Sequence, residues 1–214
     1  MKDWSSPDAL KAYLETLHLS QRKGDGNEDV TEPKCMELIS AMAAGKGAKS
    51  ILEITTKGIT QLTIALAVAA KHTGGQLICI LSSPQSSDDD HQQHPDSIAK
   101  AKLNSAGLQR FIKLVHADAG SSPWEQLKKV DFAVVDCKLD DDHLKLMFKK
   151  VDVIRTGWTL IVHNVDHRKH GLDQLLRRRR VESVTLPIGE GTEMIRILGY
   201  SFRRRNRFLV TTII

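Results

Sequence analysis

Short β-type runs alternate with helix-type segments along almost the whole chain, and this alternation restricts the fold more than any other feature of the sequence. Residues 50–54, 76–81, 111–116, 130–136 and 158–163 read as five strands. After Gln76, the run 76–81 is continuously apolar, as suits a strand buried on both faces. Helix-type segments lie between them, at about 60–71, from Pro95 to Gly107, at 123–129 and at 140–151. Gly74-Gly75 stops the first of these, and acids open the last, where the helix dipole favours them. Upstream, Ser6-Pro7 starts a helix with Leu10, Tyr13, Leu14 and Leu17 at helical spacing. A second helix opens near Pro33, carries Met36, Ile39, Ser40 and Ala43 on one side, and ends at Gly45 and Gly47. Downstream, a helix across 172–179 leads to two strand-like runs joined through Gly189 and Gly191, and to a final run at 208–214.

Strands separated by helices of this length imply right-handed βαβ units. The expected fold is therefore α/β and doubly wound, with a mostly parallel sheet and helices on both faces. Residues 1–30 read as an N-terminal helix and polar linker, and residues 31–214 as one domain. Ligands of such folds sit at the carboxyl ends of the strands. That directs attention to residues 53–60, 81–87, 116–120, 136–142 and 163–167.

Bulk composition narrows the function classes. The 214 residues are 41% hydrophobic and 27% charged, ordinary for a globular protein. The longest apolar stretch, residues 64–70, falls far short of the ~20 residues a bilayer span requires. Met1-Lys2-Asp3-Trp4-Ser5-Ser6-Pro7-Asp8 lacks the apolar core of a secretory signal. Cys35, Cys79 and Cys137 are scattered and odd in number, which points to reduced thiols in the cytoplasm or nucleus. Much of the net charge of +5 sits at Arg177 to Arg180 and Arg203 to Arg207. Without interleaved aromatic residues these runs read as solvated helix ends or turns, so nucleic acid is not an expected partner. A small-molecule ligand is expected, no membrane is, and a homodimer is left open.

The residues at the strand tips carry a resemblance. Residues 33–54 with Gly58-Ile59-Thr60, the strand Asp131-Phe132-Ala133-Val134-Val135-Asp136, the run from Gly157-Trp158 to His163-Asn164, and Leu186-Pro187-Ile188-Gly189-Glu190-Gly191 occur in the order and spacing of one family. Over roughly residues 33–198 the chain resembles class I S-adenosylmethionine-dependent methyltransferases. The subgroup most resembled is the metal-dependent O-methyltransferases acting on catechols and caffeoyl-CoA. The chain is also similar to a plant family of unknown function with this fold. The resemblance implies a seven-stranded sheet with one antiparallel strand near the C-terminus, and S-adenosylmethionine as cofactor.

It also assigns roles tip by tip. Glu53 is the acid of the first strand, whose carboxylate would accept a hydrogen bond from the cofactor's amino group. Glycines are expected next, because a turn cradling a cofactor needs close backbone approach. Here Thr55 stands at the first of them, Lys57 intrudes, and only Gly58 remains. The second strand ends on Ser82-Ser83, where the family has an acid whose two oxygens accept from the ribose hydroxyls. At the third tip Asp118-Ala119 matches a pair that lies beside the adenine. At the fourth and fifth, Asp136 and Asn164 match oxygen ligands of a divalent metal, with His163 in place of a second Asp. That donor set is poor for magnesium and suits a zinc- or manganese-like ion better. Alternatively, His163 serves as a base without metal. Lys138 stands one position early for the family's basic residue after the first Asp.

Each assignment has a structural alternative. Asp118 also suits a helix cap, and Asp140 to Asp142 suit a helix N-terminus. His91, His94, His167 and His170 lie in loop-type sequence that fixes no ligand geometry. Two functions remain: a divergent methyltransferase acting on a small acceptor, or a methyltransferase-like module that binds or regulates without catalysis.

Overall fold

In a computed structural model of the chain, the described residues are 4–21, 33–55, 58–82, 96–117, 130–136, 158–163, 179–188, 191–200 and 209–212. They fall into two units, Lys2–Ser121 and Ser122–Ile214.

The first unit holds α1 (Ser6–Gln21), α2 (Pro33–Gly45), β1 (Ser50–Thr55), α3 (Gln61–Thr73), β2 (Gln76–Ser82), α4 (Asp96–Ser105), a short 3₁₀ turn (Gln109–Phe111) and β3 (Ile112–Ala117). Its strands run in the order β3-β2-β1, all parallel, with Glu53 opposite Cys79 and Cys79 opposite Leu114. The largely apolar β1 and β2 are strands covered on both faces: Ile51, Leu52, Leu77, Cys79 and Ile80 are all buried. α3 is buried from Leu62 through Ala70, because its alanines allow close approach to neighbours. Its end is set by Gly74, whose left-handed backbone (φ 62°) lets Gly74 and Gly75 bond back onto the last turn. Gly75 has a second role. A Cβ there would lie 2.7 Å from the Lys49 carbonyl oxygen, the same oxygen that accepts from the Gln76 N–H at the start of β2.

α1 corrects a simple reading of its sequence. Its largest apolar side chains, Leu10 and Leu14, are 60% and 52% exposed, whereas Ala9, Ala12, Thr16 and Leu19 face inward. Small residues bring α1 close enough to α2 for the Thr16 hydroxyl to donate to Ser40 Oγ (3.0 Å), which donates to the Ala65 carbonyl of α3 (2.8 Å). Glu15 of α1 pairs with Lys71 and His72 at the end of α3. Gly45, the last residue of α2, receives the indole of Trp4 where a side chain would otherwise stand.

The second unit holds β4 (Phe132–Asp136), β5 (Trp158–His163), β6 (Arg179–Leu186), β7 (Thr192–Tyr200) and β8 (Leu209–Thr212), in the order β4-β5-β7-β6-β8. β4 and β5 are parallel, β7 is antiparallel to both β5 and β6, and β8 is parallel to β6. The seven strands the resemblance implies are present, with β7 as the antiparallel one, and β8 is an eighth. Of the helix expected across 172–179, residues 172–178 lie outside the described residues, and Arg179 is a strand residue paired with Tyr200. The helices expected at 123–129 and 140–151 lie outside the described residues. No described helix is long and apolar enough to cross a membrane.

Candidate functional site

The end of β1 and the start of α3 build a polar centre inside an otherwise apolar unit. Glu53 is 1% exposed, and its position on β1 places it beside Cys79 of β2. Seven residues on, Thr60 caps α3 with extended backbone and forms a reciprocal capping box with Thr63. The Thr60 N–H donates to Thr63 Oγ1 (3.0 Å), and the Thr63 N–H donates back to Thr60 Oγ1 (3.4 Å). Both hydroxyls then turn to the carboxyl: Thr63 donates to Glu53 Oε1 at 3.1 Å and Thr60 at 3.5 Å. Capping the helix and holding the carboxyl are thus the work of the same two side chains.

Burial and hydrogen bonding act on Glu53 in opposite directions, and burial wins. Loss of hydration raises its pKa from 4.5 to about 7, against the lowering effect of bonds from Thr63, Cys79 and Thr60. A shift of that size corresponds to about 3 kcal/mol against the charged form. The bonds converge unevenly. Oε1 receives the two threonine hydroxyls, the Cys79 thiol adds a weak bond to the carboxyl, and Oε2 is buried without a geometric hydrogen-bond partner among the described residues. A buried acceptor left in that state costs about 1–3 kcal/mol.

Thr55 ends β1 with its side chain 5% exposed, at the position where the resemblance places a glycine. Gly58 keeps the glycine role: its φ of 75° is a left-handed conformation that other residues adopt only with strain. Ser82 ends β2 opposite Ala117, the last residue of β3. Asp118 and Ala119 follow β3 directly but lie outside the described residues, as do Lys138 and Asn164. Asp136 and His163 close β4 and β5 at the same level, as register partners on adjacent parallel strands. The structure therefore brings the expected fourth and fifth tips together in the backbone. Among the described residues no three metal-binding side chains cluster. Thr60, Thr63 and Cys79 were not singled out for this role by sequence reasoning. A Thr-x-x-Thr spacing after a strand that carries Glu two residues before its end is the signal that finds the two threonines.

A second buried carboxyl lies on α2. Glu37 is fully buried, accepts a hydrogen bond from Ser20 of α1 at 2.9 Å, and leaves its Oε2 without a partner among the described residues.

A family model described as "Protein of unknown function (DUF1442)" matches residues 1–207. The chain belongs to this DUF1442 family. No curated protein sequence matches it. Solved structures do. A methyltransferase from Podospora anserina, PaMTH1, solved bound to SAH, superposes with a TM-score of 0.58 at 15% identity, covering 87% of each chain. A methyltransferase from Geobacter sulfurreducens gives 0.57 at 18% identity, covering 93% of each chain. The O-methyltransferase TomG from Streptomyces achromogenes, in complex with SAM, gives 0.54 at 18% identity over 92% of this chain and 97% of that one. At these identities the likeness establishes the fold. This DUF1442 member shares the Rossmann-like α/β fold of those methyltransferase structures.

Proposed function

We propose that the chain binds S-adenosylmethionine around the β1–α3 turn and is a divergent methyltransferase of small acceptors, such as phenolic hydroxyls. The observation that carries this reading is the Glu53 carboxyl, buried near the end of β1 with Oε2 lacking a partner among the described residues. An ammonium group brought to Oε2 supplies the missing donor and a charge that favours the carboxylate. The fold likeness to structures solved with SAM or SAH gives further support. When bound, the cofactor supplies a methyl group activated on a sulfonium centre.

The chain's own residues supply the rest. Gly58 lets the turn approach a ligand without a Cβ in the way, and Thr60 and Thr63 hold Glu53 from behind. Ser82, Asp118 and Ala119 are assigned to the ribose and adenine. His163, at the tip of β5 beside Asp136, is assigned the acceptor's proton, with Lys138 as the supporting cation. Most of the acceleration in such a site comes from positioning. One carboxylate, one imidazole and one amide do not fit magnesium, so no step is assigned to a metal.

A second reading is favoured by one observation. The buried side chain of Thr55 occupies a glycine position of the cofactor turn, which suits a module that no longer catalyses. Calorimetric titration of the purified protein with S-adenosylmethionine and S-adenosylhomocysteine, with and without manganese and zinc, tests the proposal. Micromolar binding that Glu53→Ala weakens supports it, and absence of heat up to millimolar ligand overturns it. Binding without methyl transfer to any phenolic acceptor assigns the chain to the second reading.

A further inference from the structure

α1 buries its small residues and leaves its large apolar ones outside. Leu10 and Leu14 are 60% and 52% exposed, and Tyr13 and Leu17 are partly exposed. With 3.6 residues per turn, these four side chains start within about 100° of arc on one side of the helix. Ala9, Ala12, Thr16 and Leu19 form the other, buried side. α2 lies beside α1, tied to it by the Thr16–Ser40 and Ser20–Glu37 bonds. Between Lys34 and Lys46 its one charged residue is Glu37, which is buried, whereas Leu38, Ala41 and Met42 are partly exposed. An amphipathic helix ordinarily turns its apolar stripe to the core. Here the core is closed by the small side, and the stripe is left for an outside partner.

The charges beside the stripe decide between partners. Lys11 is the single lysine or arginine of α1, against the acids Asp8 and Glu15. An anionic lipid surface calls for several cations around such a stripe, and α1 does not supply them. A second copy of α1 does fit. Consider two α1 helices packed antiparallel about a two-fold axis midway between Leu10 and Leu17. Leu10 is then level with Leu17 of the partner subunit, and Leu14 lies next to Leu14 of the partner subunit. Lys11 and Glu15 stand one turn apart on the same flank of the stripe, and this axis faces that flank with itself. Lys11 comes within about 1.5 Å of the level of Glu15 of the partner subunit, and the reverse pair forms with it. Glu15 is reachable: it pairs with Lys71 and His72 and is still 25% exposed.

We propose that α1 is a self-association element, pairing antiparallel with α1 of a second copy through Leu10, Leu14 and Leu17. The exposed patch is on the order of a few hundred Å². That is below the ~800 Å² per partner of a standard interface, which makes the dimer one of micromolar strength. The proposal does not depend on cofactor binding.

Sedimentation equilibrium of the full chain from about 1 to about 200 μM tests it, with a monomer–dimer equilibrium expected in that range. Leu14→Glu sets two acids side by side at the axis and is expected to raise the dissociation constant ~100-fold or more. Its circular dichroism should match the wild-type protein, since the position is half exposed. If that variant does not fold, Leu10→Gln with Leu14→Gln reads the same loss. Lys11→Glu is expected to weaken the dimer up to about fivefold, and Lys11→Arg to preserve it. Under mild oxidation, Leu14→Cys is expected to crosslink to itself, and Leu10→Cys to crosslink with Leu17→Cys but not with itself, the wild-type protein being the control. A monomer throughout the range, a Leu14→Glu variant as dimeric as wild type, or self-crosslinking of Leu10→Cys overturns the proposal. So does binding of the monomer to phosphatidylserine vesicles that Leu14→Glu abolishes, which assigns the stripe to a lipid surface.

Discussion

The Thr63 hydroxyl donates to Glu53 Oε1 across 3.1 Å and thereby ties the first turn of α3 to the end of β1. Thr63 also accepts the Thr60 N–H, so one side chain serves the helix cap and the buried acid together. Strand end and helix start are thereby held together around the acid.

Stability is expected to depend on pH through Glu53. Its pKa in the folded protein, about 7, lies above the ordinary 4.5. The folded state therefore keeps a proton that the unfolded chain releases between these values. The associated stability is fully present below about pH 4.5 and is lost as pH rises through about 7, with an upper limit of about 3 kcal/mol. Glu53→Gln, a neutral isostere, should flatten this dependence and gain about 1–3 kcal/mol over the wild-type protein at pH 8 relative to pH 5. Urea unfolding at several pH values measures the difference, and parallel curves for the two proteins would contradict the assignment.

Thr63→Val should cost about 1–2 kcal/mol, because it removes both the reciprocal cap and the stronger donor to Glu53. It should also raise the Glu53 pKa further, since the largest opposing influence on burial is gone. Thr63→Ser keeps the hydroxyl and should recover most of the loss. Loss of both traits in the serine variant would show that the methyl group, not the hydroxyl, matters.

Gly45→Ala tests the docking of α1. The added Cβ would lie 2.4 Å from the Trp4 ring, and the indole must move. A loss of about 1–3 kcal/mol is expected from such overpacking. Combined with Trp4→Ala the cost should largely vanish, so the two changes should be clearly non-additive in denaturant unfolding. Additive effects would place the cost in the helix end itself.

Ligand binding should show the same acid from the other side. If an ammonium group meets Glu53, binding below about pH 7 must release a proton, and affinity should rise as pH increases toward 8. Calorimetry with S-adenosylhomocysteine in buffers of different ionisation enthalpy reads the released proton directly. A heat independent of buffer would remove Glu53 from the contact.

Ser82→Asp should tighten cofactor binding about tenfold, because a carboxylate at the end of β2 can accept from both ribose hydroxyls where serine offers one weaker partner. An unchanged or weakened affinity would mean that the ligand does not lie along β2.

The sequence by itself determined the α/β class, the order of the strands along the chain and the position of Glu53 at the end of β1. These follow from local signals: apolar runs of strand length, helical spacing, and glycines such as Gly45, Gly47, Gly74 and Gly75 at the ends of helices. Such signals act within a few residues and survive without knowledge of what packs where. Tertiary structure alone decided the rest. The sequence does not say which side of α1 faces inward, because Leu10 and Leu14 are as apolar as a core stripe requires. Close approach of three helices selected Ala9, Ala12 and Thr16 instead. Nor does it show that Thr60, Thr63 and Cys79 meet Glu53, since the convergence joins a cap to a neighbouring strand through register.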